Sequence, residues 1–187
     1  MSKYTDYSFQ PFLLDAIEKL GFQEPTPIQK EMIPLVLKGK SAIGQAHTGT
    51  GKTHSFLIPI VEKIDASKKE VQAVITSPTR ELATQIYKEL NKLVEGTEIQ
   101  PHIVVGTPGR LRDLTVEQAL LVHTANILVV DEADLAFDLG FINEIDQFAS
   151  RMPDKLEMYV FSATIPESLQ PFLKKYMDSP VHIKIGE

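Results

Sequence analysis

Apolar residues along this chain follow two spacings that alternate from one end to the other. Helical spacing is found at 12–20, 28–36, 56–64, 82–93, 141–152 and 169–177. Short segments typical of strands are found at 71–75, 102–105, 126–130 and 156–161, with a small-residue strand at 41–46 and an alternating one at 181–185. Because buried parallel strands are continuously apolar and need helical crossovers, the alternation predicts an α/β domain whose parallel sheet is covered by helices on both faces.

The segment 46–53 carries the first candidate chemistry and lies between a predicted strand and a predicted helix. Its sequence is Ala-His-Thr-Gly-Thr-Gly-Lys-Thr. Glycines let backbone N–H groups turn inward around phosphates, the Lys52 ammonium adds positive charge, and the Thr53 hydroxyl can bind Mg²⁺. Taken alone, the segment also fits an ordinary glycine-rich turn. The predicted nucleotide contacts are Thr48, Gly49, Thr50, Gly51, Lys52 and Thr53.

Two adjacent carboxylates follow the apolar run at 126–130. They are Asp131 and Glu132, within the sequence Asp-Glu-Ala-Asp. An acid in this place can hold Mg²⁺, usually through water, and its neighbour can orient the water that attacks a terminal phosphate. A lone acidic quartet is more often a solvated turn, but the strand before it and the phosphate loop upstream favour the chemical interpretation. The predicted catalytic residues are Lys52, Asp131 and Glu132, and the predicted metal ligands are Thr53 and Asp131.

The tetrad at 131–134 resembles the signature of the DEAD-box RNA helicases, and five other segments resemble motifs of that family in the same order. They are the Q motif at 21–29, the phosphate loop at 46–53, two RNA-backbone motifs at 78–83 and 107–110, and the coupling motif at 162–164. The resemblance extends from Tyr4 to the C-terminus. It implies a RecA-like P-loop NTPase fold and the N-terminal ATP-binding domain of a bacterial-type, ATP-dependent RNA helicase. The implied cofactors are ATP and Mg²⁺.

In that family the Q motif reads adenine. The resemblance implies that the Gln29 amide contacts the N6 and N7 edge of the base, with Phe22 beside it. Tyr4 stands where the family places an isolated upstream aromatic, so it is expected to stack on the base. Two alternatives stay open. Gln29 could be an ordinary polar residue on a half-buried helix, and Tyr4 could be a packing anchor near the terminus.

The resemblance also implies contacts with RNA, made to the sugar-phosphate backbone and without sequence specificity. The residues concerned are Pro78, Thr79, Arg80, Thr107, Gly109 and Arg110. The two arginines could otherwise be solvated surface residues. In the family, Asp134, Ser162 and Thr164 link the ATP site to RNA. The two hydroxyls could instead cap the helix that follows them.

Composition adds few restrictions. The 187 residues are 43% hydrophobic, so one domain with a sizeable core is expected. The sequence has no cysteine, no apolar stretch of membrane-spanning length and no signal peptide, and we expect a cytoplasmic monomer without disulfides. A net charge of −6 argues against a strongly basic surface, so RNA should bind weakly and with strong salt dependence.

Two features of the family are not found in the sequence. Nothing after Thr164 resembles the second helicase domain with its arginine fingers, so 1–187 is expected to be the first of two RecA-like domains, and the second an expected partner. Only residues 84–106 separate the RNA-backbone motifs, where family members carry a further strand and helix with a Gly-Gly motif. We therefore expect a segment between 96 and 101 to have been omitted or deleted. The alternative function is a nucleotide- and RNA-binding module without turnover of its own.

Overall fold

Six parallel strands form one sheet in the computed structural model, which describes residues 2–186. The strands are β1 (Ala42–Gln45), β2 (Ala73–Thr76), β3 (Ile103–Gly106), β4 (Ile127–Val130), β5 (Glu157–Ser162) and β6 (Val181–Lys184). Their order in the sheet is β3-β2-β4-β5-β1-β6, and every neighbouring pair is parallel. Each strand overlaps one predicted apolar run, so the predicted parallel α/β fold is confirmed.

Within residues 2–186, eight α-helices and three short 3₁₀ helices connect the strands. The α-helices are α1 (Pro11–Lys19), α2 (Pro27–Leu37), α3 (Lys52–Lys63), α4 (Arg80–Val94), α5 (Pro108–Val116), α6 (Ala133–Asp138), α7 (Ile142–Ala149) and α8 (Gln170–Tyr176). The 3₁₀ helices are Tyr4–Asp6, Gln100–His102 and Glu167–Leu169. The apolar pattern does not indicate α5, which has few apolar positions, or α6, which has only 6 residues. In this part of the chain no helix is both long and apolar enough to span a bilayer.

The sheet separates two hydrophobic cores, one under α1–α4 and one under α5–α8. In β4, Ile127 and Val129 point into the first core, whereas Leu128 and Val130 point into the second. All four side chains are buried. Because both faces of the strand are covered, every position in it is apolar.

Five of the motifs lie together at the carboxyl ends of the strands, on one side of the sheet. β1 leads into the phosphate loop, β2 into 78–83, β3 into 107–110 and β4 into the acidic tetrad, while β5 ends at Ser162. The Thr76 carbonyl at the end of β2 accepts a hydrogen bond from the Asp131 N–H at 2.9 Å, which fixes the tetrad against its neighbouring strand. The carboxyl ends of parallel strands are where open α/β sheets bind ligands.

The strand β3 lies at the edge of the sheet, and a short turn joins it to α4. The Thr97 hydroxyl and N–H both donate to the Val94 carbonyl, at 2.6 and 3.0 Å. Ile99, in the same turn, is buried against the first core. The stretch that the sequence marks as shortened is therefore a closed and packed connection.

Candidate nucleotide and RNA site

Two glycines in the left-handed region carry the phosphate loop from β1 into α3. Gly49 has φ +87°, and Gly51, the N-cap of α3, has φ +82°. A β-carbon at Gly51 would also lie 2.6 Å from Gln29 Nε2 and 2.9 Å from Thr26 Oγ1. Position 51 is therefore restricted to glycine by its conformation and by its packing. The first N–H groups of α3, from Lys52 onwards, have no intrahelical partners and can hold a phosphate.

Lys52 contacts both carboxylates of the acidic tetrad. Its Nζ lies 3.2 Å from Asp131 Oδ1 and is hydrogen-bonded to Glu132 Oε1. Lys52 and Asp131 are both buried. Burial lowers the pKa of Lys52, but the charges of Asp131 and Glu132 outweigh burial, so its pKa is raised overall and the side chain stays cationic. The structure thus brings together the three residues predicted to be catalytic.

Asp131 and Glu132 show features that cluster at functional sites. Burial raises the pKa of Asp131 to about 6, with the charge of Lys52 opposing and the charge of Glu132 adding to that rise. Apart from its ion-pair contact with Lys52 Nζ, Asp131 Oδ1 has no polar partner among residues 2–186. Glu132, the N-cap of α6, has φ +53° and ψ +50°. This left-handed conformation costs a side-chain-bearing residue about 1–2 kcal/mol.

Two oxygen donors beside the phosphate loop fit Mg²⁺. They are the Thr53 hydroxyl, in the first turn of α3, and the Asp131 carboxylate, whose Oδ1 contacts only the Lys52 ammonium. No cluster of three or more His, Cys, Asp or Glu residues within 2–186 could hold a metal ion. Because Mg²⁺ commonly takes one or two protein oxygens and completes its shell with phosphates and water, this donor set suits a metal shared with a nucleotide.

A cavity of ≈ 410 Å³ extends from these carboxylates along α4. One part of its wall is formed by Asp131, Glu132 and the phosphate loop. Another part is formed by Leu82, Gln85, Ile86, Lys88, Glu89 and Lys92 of α4. Its volume is typical of small-molecule sites.

Gln29 lies against the phosphate loop, in the first turn of α2, and is only 3% exposed. Its Nε2 donates to the Gly51 carbonyl at 3.0 Å. Its Oε1 accepts from the Thr26 N–H at 2.9 Å and from the Tyr4 hydroxyl. That oxygen has both lone pairs in use, whereas one Nε2 hydrogen has no acceptor within 2–186. A bidentate contact with adenine requires Oε1 to exchange a partner, so adenine reading by Gln29 stays a prediction.

Tyr4 is buried against Phe22, with ring centroids 6.3 Å apart and the planes inclined by 28°. Burial, with a smaller effect of Tyr7, raises the pKa of Tyr4 to about 12, so its hydroxyl stays protonated and donates to Gln29. The structure therefore shows the packing role for Tyr4. Stacking on a base would require its ring to become exposed, and that role stays a prediction.

Asp134, Ser162 and Thr164 form one hydrogen-bonded group between α6 and β5. Asp134 Oδ2 accepts from the Thr164 N–H at 3.1 Å and from its hydroxyl at 3.0 Å, while Ser162 Oγ accepts from the Asp134 N–H at 3.0 Å. Burial raises the pKa of Asp134, but these hydrogen bonds outweigh burial and the pKa is lowered overall. The N-cap of the following 3₁₀ helix is Pro166, with no side-chain capping bond, so the alternative that the hydroxyls cap it is wrong.

Arg80 and Arg110 are exposed and line one cavity of ≈ 430 Å³ between α4 and the end of β3. Arg80 is the first residue of α4, and Arg110 lies in the first turn of α5. Each arginine therefore stands at a helix N-terminus, where the helix dipole favours anions. Thr107, the N-cap of α5, lines the same cavity.

The other residues predicted to contact RNA are less accessible. Thr79 is the N-cap of α4, and its Oγ1 accepts from the Leu82 N–H at 3.2 Å. Pro78 is buried, and Gly109 is half-buried beside Arg110. The structure brings two arginines and one threonine to a common cavity, and gives Thr79 a capping role as well.

His54 and Glu89 are among the residues of the first cavity that sequence reasoning missed. His54 Nε2 lies 3.7 Å from Glu89 Oε2, and the His54 ring meets the edge of Phe22 at 4.8 Å between centroids. The two residues belong to different helices, and no local spacing connects them. Only the packing of α3 against α4 brings them together.

Comparison with known proteins identifies relatives for almost the whole chain. The DEAD/DEAH box helicase family model matches residues 26–172. The DEAD-box ATP-dependent RNA helicase CshB of Bacillus cereus is 53% identical over 207 residues, covering 98% of this chain and 48% of the relative. CshB of Staphylococcus aureus is 42% identical, covering 97% of this chain and 45% of the relative. The chain spans about half the length of the curated relatives it matches.

Solved structures give the same picture. A DEAD box protein from Methanococcus jannaschii matches with a TM-score of 0.93 and 31% identity, covering 100% of this chain and 56% of that one. Dbp5 of S. cerevisiae, in a complex with Nup159, Gle1, IP6 and ADP, matches with a TM-score of 0.89 and 26% identity, covering 96% of this chain and 53% of that one.

Proposed function

The chain belongs to the DEAD/DEAH box helicase family, and on that basis we propose that it is the N-terminal, ATP-binding domain of an ATP-dependent RNA helicase. The contact of Lys52 with Asp131 and Glu132, beside a glycine-bounded phosphate loop, is the observation that carries this proposal. In the whole protein, ATP binding would drive local strand separation of RNA, and hydrolysis would drive its release.

In this proposal Lys52 exchanges its contact with Glu132 for the β- and γ-phosphates of ATP, while the N–H groups of 48–51 surround them. The exchange frees the Glu132 carboxylate to orient the attacking water. Thr53 and Asp131 would hold Mg²⁺, which neutralises phosphate charge when bound. Since one ammonium serves either Glu132 or the phosphates, binding of the nucleotide and activation of the water are linked.

Recognition of adenine is assigned to Gln29, with Phe22 and Tyr4 beside it. The Nε2 hydrogen without an acceptor suits adenine N7, and displacement of the Tyr4 hydroxyl from Oε1 would leave an acceptor for the N6 amino group. The contact of Gln29 with Gly51 supports this assignment, because it holds the amide against the phosphate loop.

RNA is assigned to the surface bounded by the starts of α4 and α5. Its proposed contacts are Pro78, Thr79, Arg80, Thr107, Gly109 and Arg110. Proximity of the two arginines at one cavity supports this assignment. We assign the coupling of this surface to the ATP site to Asp134, Ser162 and Thr164. The whole protein would include a second RecA-like domain as a partner.

We also propose that a segment is missing between 96 and 101. The alignment with the Bacillus cereus relative extends over 207 residues, although this chain has only 187, so it includes residues of the relative that have no counterpart here. The position of β3 at the sheet edge supports the same idea, because an absent strand could have paired there. The chain spans only about half the length of its curated relatives, which favours the second candidate function, a nucleotide- and RNA-binding module without turnover of its own. We further propose that the protein is monomeric and lies in the bacterial cytoplasm. The bacterial origin of the relatives supports this location.

Two measurements on the 187-residue chain test this function. Titration of a fluorescent ATP analogue with Mg²⁺ should show saturable binding, and its absence would overturn the assignment of the nucleotide site. Phosphate release with and without single-stranded RNA then separates the two candidates. RNA-stimulated release supports a domain with turnover of its own, whereas binding without release supports the module.

A further inference from the structure

A buried histidine and a half-buried glutamate lie in the proposed nucleotide cavity, outside the residues assigned to phosphate and metal. His54, in the first turn of α3, is 9% exposed, and its Nε2 lies 3.7 Å from Glu89 Oε2 on α4. That distance is too long for a hydrogen bond. Both atoms are shielded from solvent and have no hydrogen-bond partner within residues 2–186. Both side chains line the ≈ 410 Å³ cavity.

Buried polar atoms without partners are costly, so this pair points to a group that joins them. Lys92 Nζ lies 3.4 Å from the other carboxylate oxygen, Glu89 Oε1, and so helps to hold Oε2 toward His54. An oxygen beside the pair, about 2.8 Å from each atom, would satisfy both once the two side chains shift to admit it. Burial and the charge of Lys92 lower the pKa of His54 more than Glu89 raises it, so the imidazole is neutral at pH 7. When the neutral imidazole carries its proton on Nε2, the joining group has to accept from that N–H and donate to the carboxylate, which a hydroxyl can do and a phosphate oxygen cannot.

His54 adjoins both the proposed phosphate-binding residues and the Q motif. Asp131 and Glu132 form the part of the cavity where the terminal phosphate and its attacking water belong. His54 follows the phosphate-binding residues along α3, and its ring contacts Phe22 of the Q motif. The sugar of a nucleotide connects its phosphates to its base. A ribose is therefore the group that would reach His54 and Glu89.

We propose that His54 and Glu89 recognise a ribose hydroxyl of the bound nucleotide. The inference rests on the proposed ATP-binding function and adds sugar specificity to it. The hydroxyl donates to Glu89 Oε2 and accepts from His54 Nε2–H. A deoxyribose lacking that hydroxyl leaves both buried groups unpaired, which disfavours deoxynucleotides.

Calorimetric titration of the chain with ATP, 2′-deoxy-ATP and 3′-deoxy-ATP, each with Mg²⁺, tests the proposal. ATP should bind about tenfold more tightly than one of the two analogues. The hydroxyl that this weaker analogue lacks is the one that His54 and Glu89 contact. Glu89→Gln and His54→Ala should each bring the two affinities to within about twofold. Glu95→Gln removes the same charge from the exposed C-cap of α4 and should keep the preference. Thermal melting checks that each variant is folded. If His54→Ala does not fold, the result for Glu89→Gln decides the test.

The outcomes separate this proposal from the function on which it rests. Binding of all three nucleotides within about twofold by the unmutated chain would overturn the ribose assignment and leave the nucleotide site standing. A preference for ATP that persists in folded Glu89→Gln would also overturn it. Failure of all three nucleotides to bind would overturn the proposed nucleotide function, and the ribose assignment with it.

Discussion

The Gln29 Nε2 donates a hydrogen bond to the carbonyl oxygen of Gly51 at 3.0 Å. Gly51 is the residue at which the phosphate loop becomes α3, and Gln29 lies in the first turn of α2. The contact therefore joins the Q motif to the loop that is proposed to hold phosphate. Because a phosphate loop acts through the direction of its N–H groups, we expect Gln29, which is assigned to the base, to affect phosphate affinity as well.

Comparison of Gly51→Ala with Gly49→Ala tests the importance of this contact for stability. Both substitutions place a β-carbon on a left-handed backbone, at φ +82° and +87°. Only the β-carbon at 51 meets Gln29 and Thr26, since nothing lies within 4 Å of one at 49. We expect Gly51→Ala to lower the free energy of unfolding by about 1–2 kcal/mol more than Gly49→Ala, measured by urea denaturation. Equal losses would contradict the packing argument.

The base preference of the chain tests Gln29 directly. Adenine offers a donor and an acceptor to an amide, whereas guanine presents an acceptor in place of that donor. ATP and ADP should bind more tightly than GTP and GDP by about 1–3 kcal/mol, and Gln29→Ala should narrow this gap. Competition titrations against a fluorescent ATP analogue measure both effects. Equal affinity of the unmutated chain for adenine and guanine nucleotides would contradict the assignment of the Q motif to adenine.

The proposed exchange of partners by Lys52, from the Glu132 carboxylate to the phosphates of ATP, predicts different effects of Lys52→Ala and Glu132→Gln on ATP binding. Lys52→Ala removes the charge that phosphates would meet, so ATP affinity should fall by about 10–100-fold. Glu132→Gln frees Lys52 from one competitor while removing the group that orients water, so binding should be kept and hydrolysis lost. Near-normal affinity in Lys52→Ala would contradict the assignment of the phosphate loop.

The sequence predicts the phosphate loop, the acids and their strands because these features are local. An apolar run followed by Asp131 and Glu132 can be recognised without knowing what lies nearby. The partners of Gln29 cannot be predicted in this way, because Tyr4, Thr26 and Gly51 come from three separate segments. The burial of Tyr4 is likewise a result of tertiary packing.

The same limit applies to groups that form across helices. A histidine after Thr53 has no local signal that pairs it with Glu89, and the pair is recognisable only after α3 packs against α4. By contrast, the sequence already groups Asp134 with Ser162 and Thr164 through the family resemblance. The structure adds the hydrogen bonds by which these three residues can act together.

The pKa of Asp134 predicts a pH-dependent contribution to stability. Its pKa is lowered in the folded state from the ordinary 3.8, so the stabilisation is present above pH 3.8 and is lost as pH falls through the lowered value. Asp134→Asn should therefore be less stable than the unmutated chain at pH 7, and the difference should shrink below pH 3.8. Because Asp134 is only partly buried, solvent screening limits the difference to less than about 1 kcal/mol. Urea denaturation across this pH range measures it, and a constant difference would contradict the hydrogen-bonding argument.

The last prediction concerns RNA and the shortened stretch before β3. The parts of the proposed ATP site around Lys52 and Asp131 follow other strands, so ADP should bind. Single-stranded RNA should bind weakly, because one of the family's three RNA-contacting motifs is proposed to be missing. Arg80→Ala and Arg110→Ala should each lower RNA affinity and reduce its salt dependence by about one unit of slope. Arg112→Ala is the control, because Asp113 and Glu144 already hold that guanidinium at 2.8 and 3.7 Å.

Fluorescence anisotropy with a labelled single-stranded RNA, repeated over a range of salt concentrations, measures these slopes. Intact mass spectrometry first establishes whether residues between 96 and 101 are physically absent. If they are absent and RNA still binds tightly at physiological salt, the RNA surface is not the one assigned here. If Arg112→Ala changes the slope as much as Arg80→Ala does, the effect reports general surface charge, because a phosphate contact should depend on the position of the arginine.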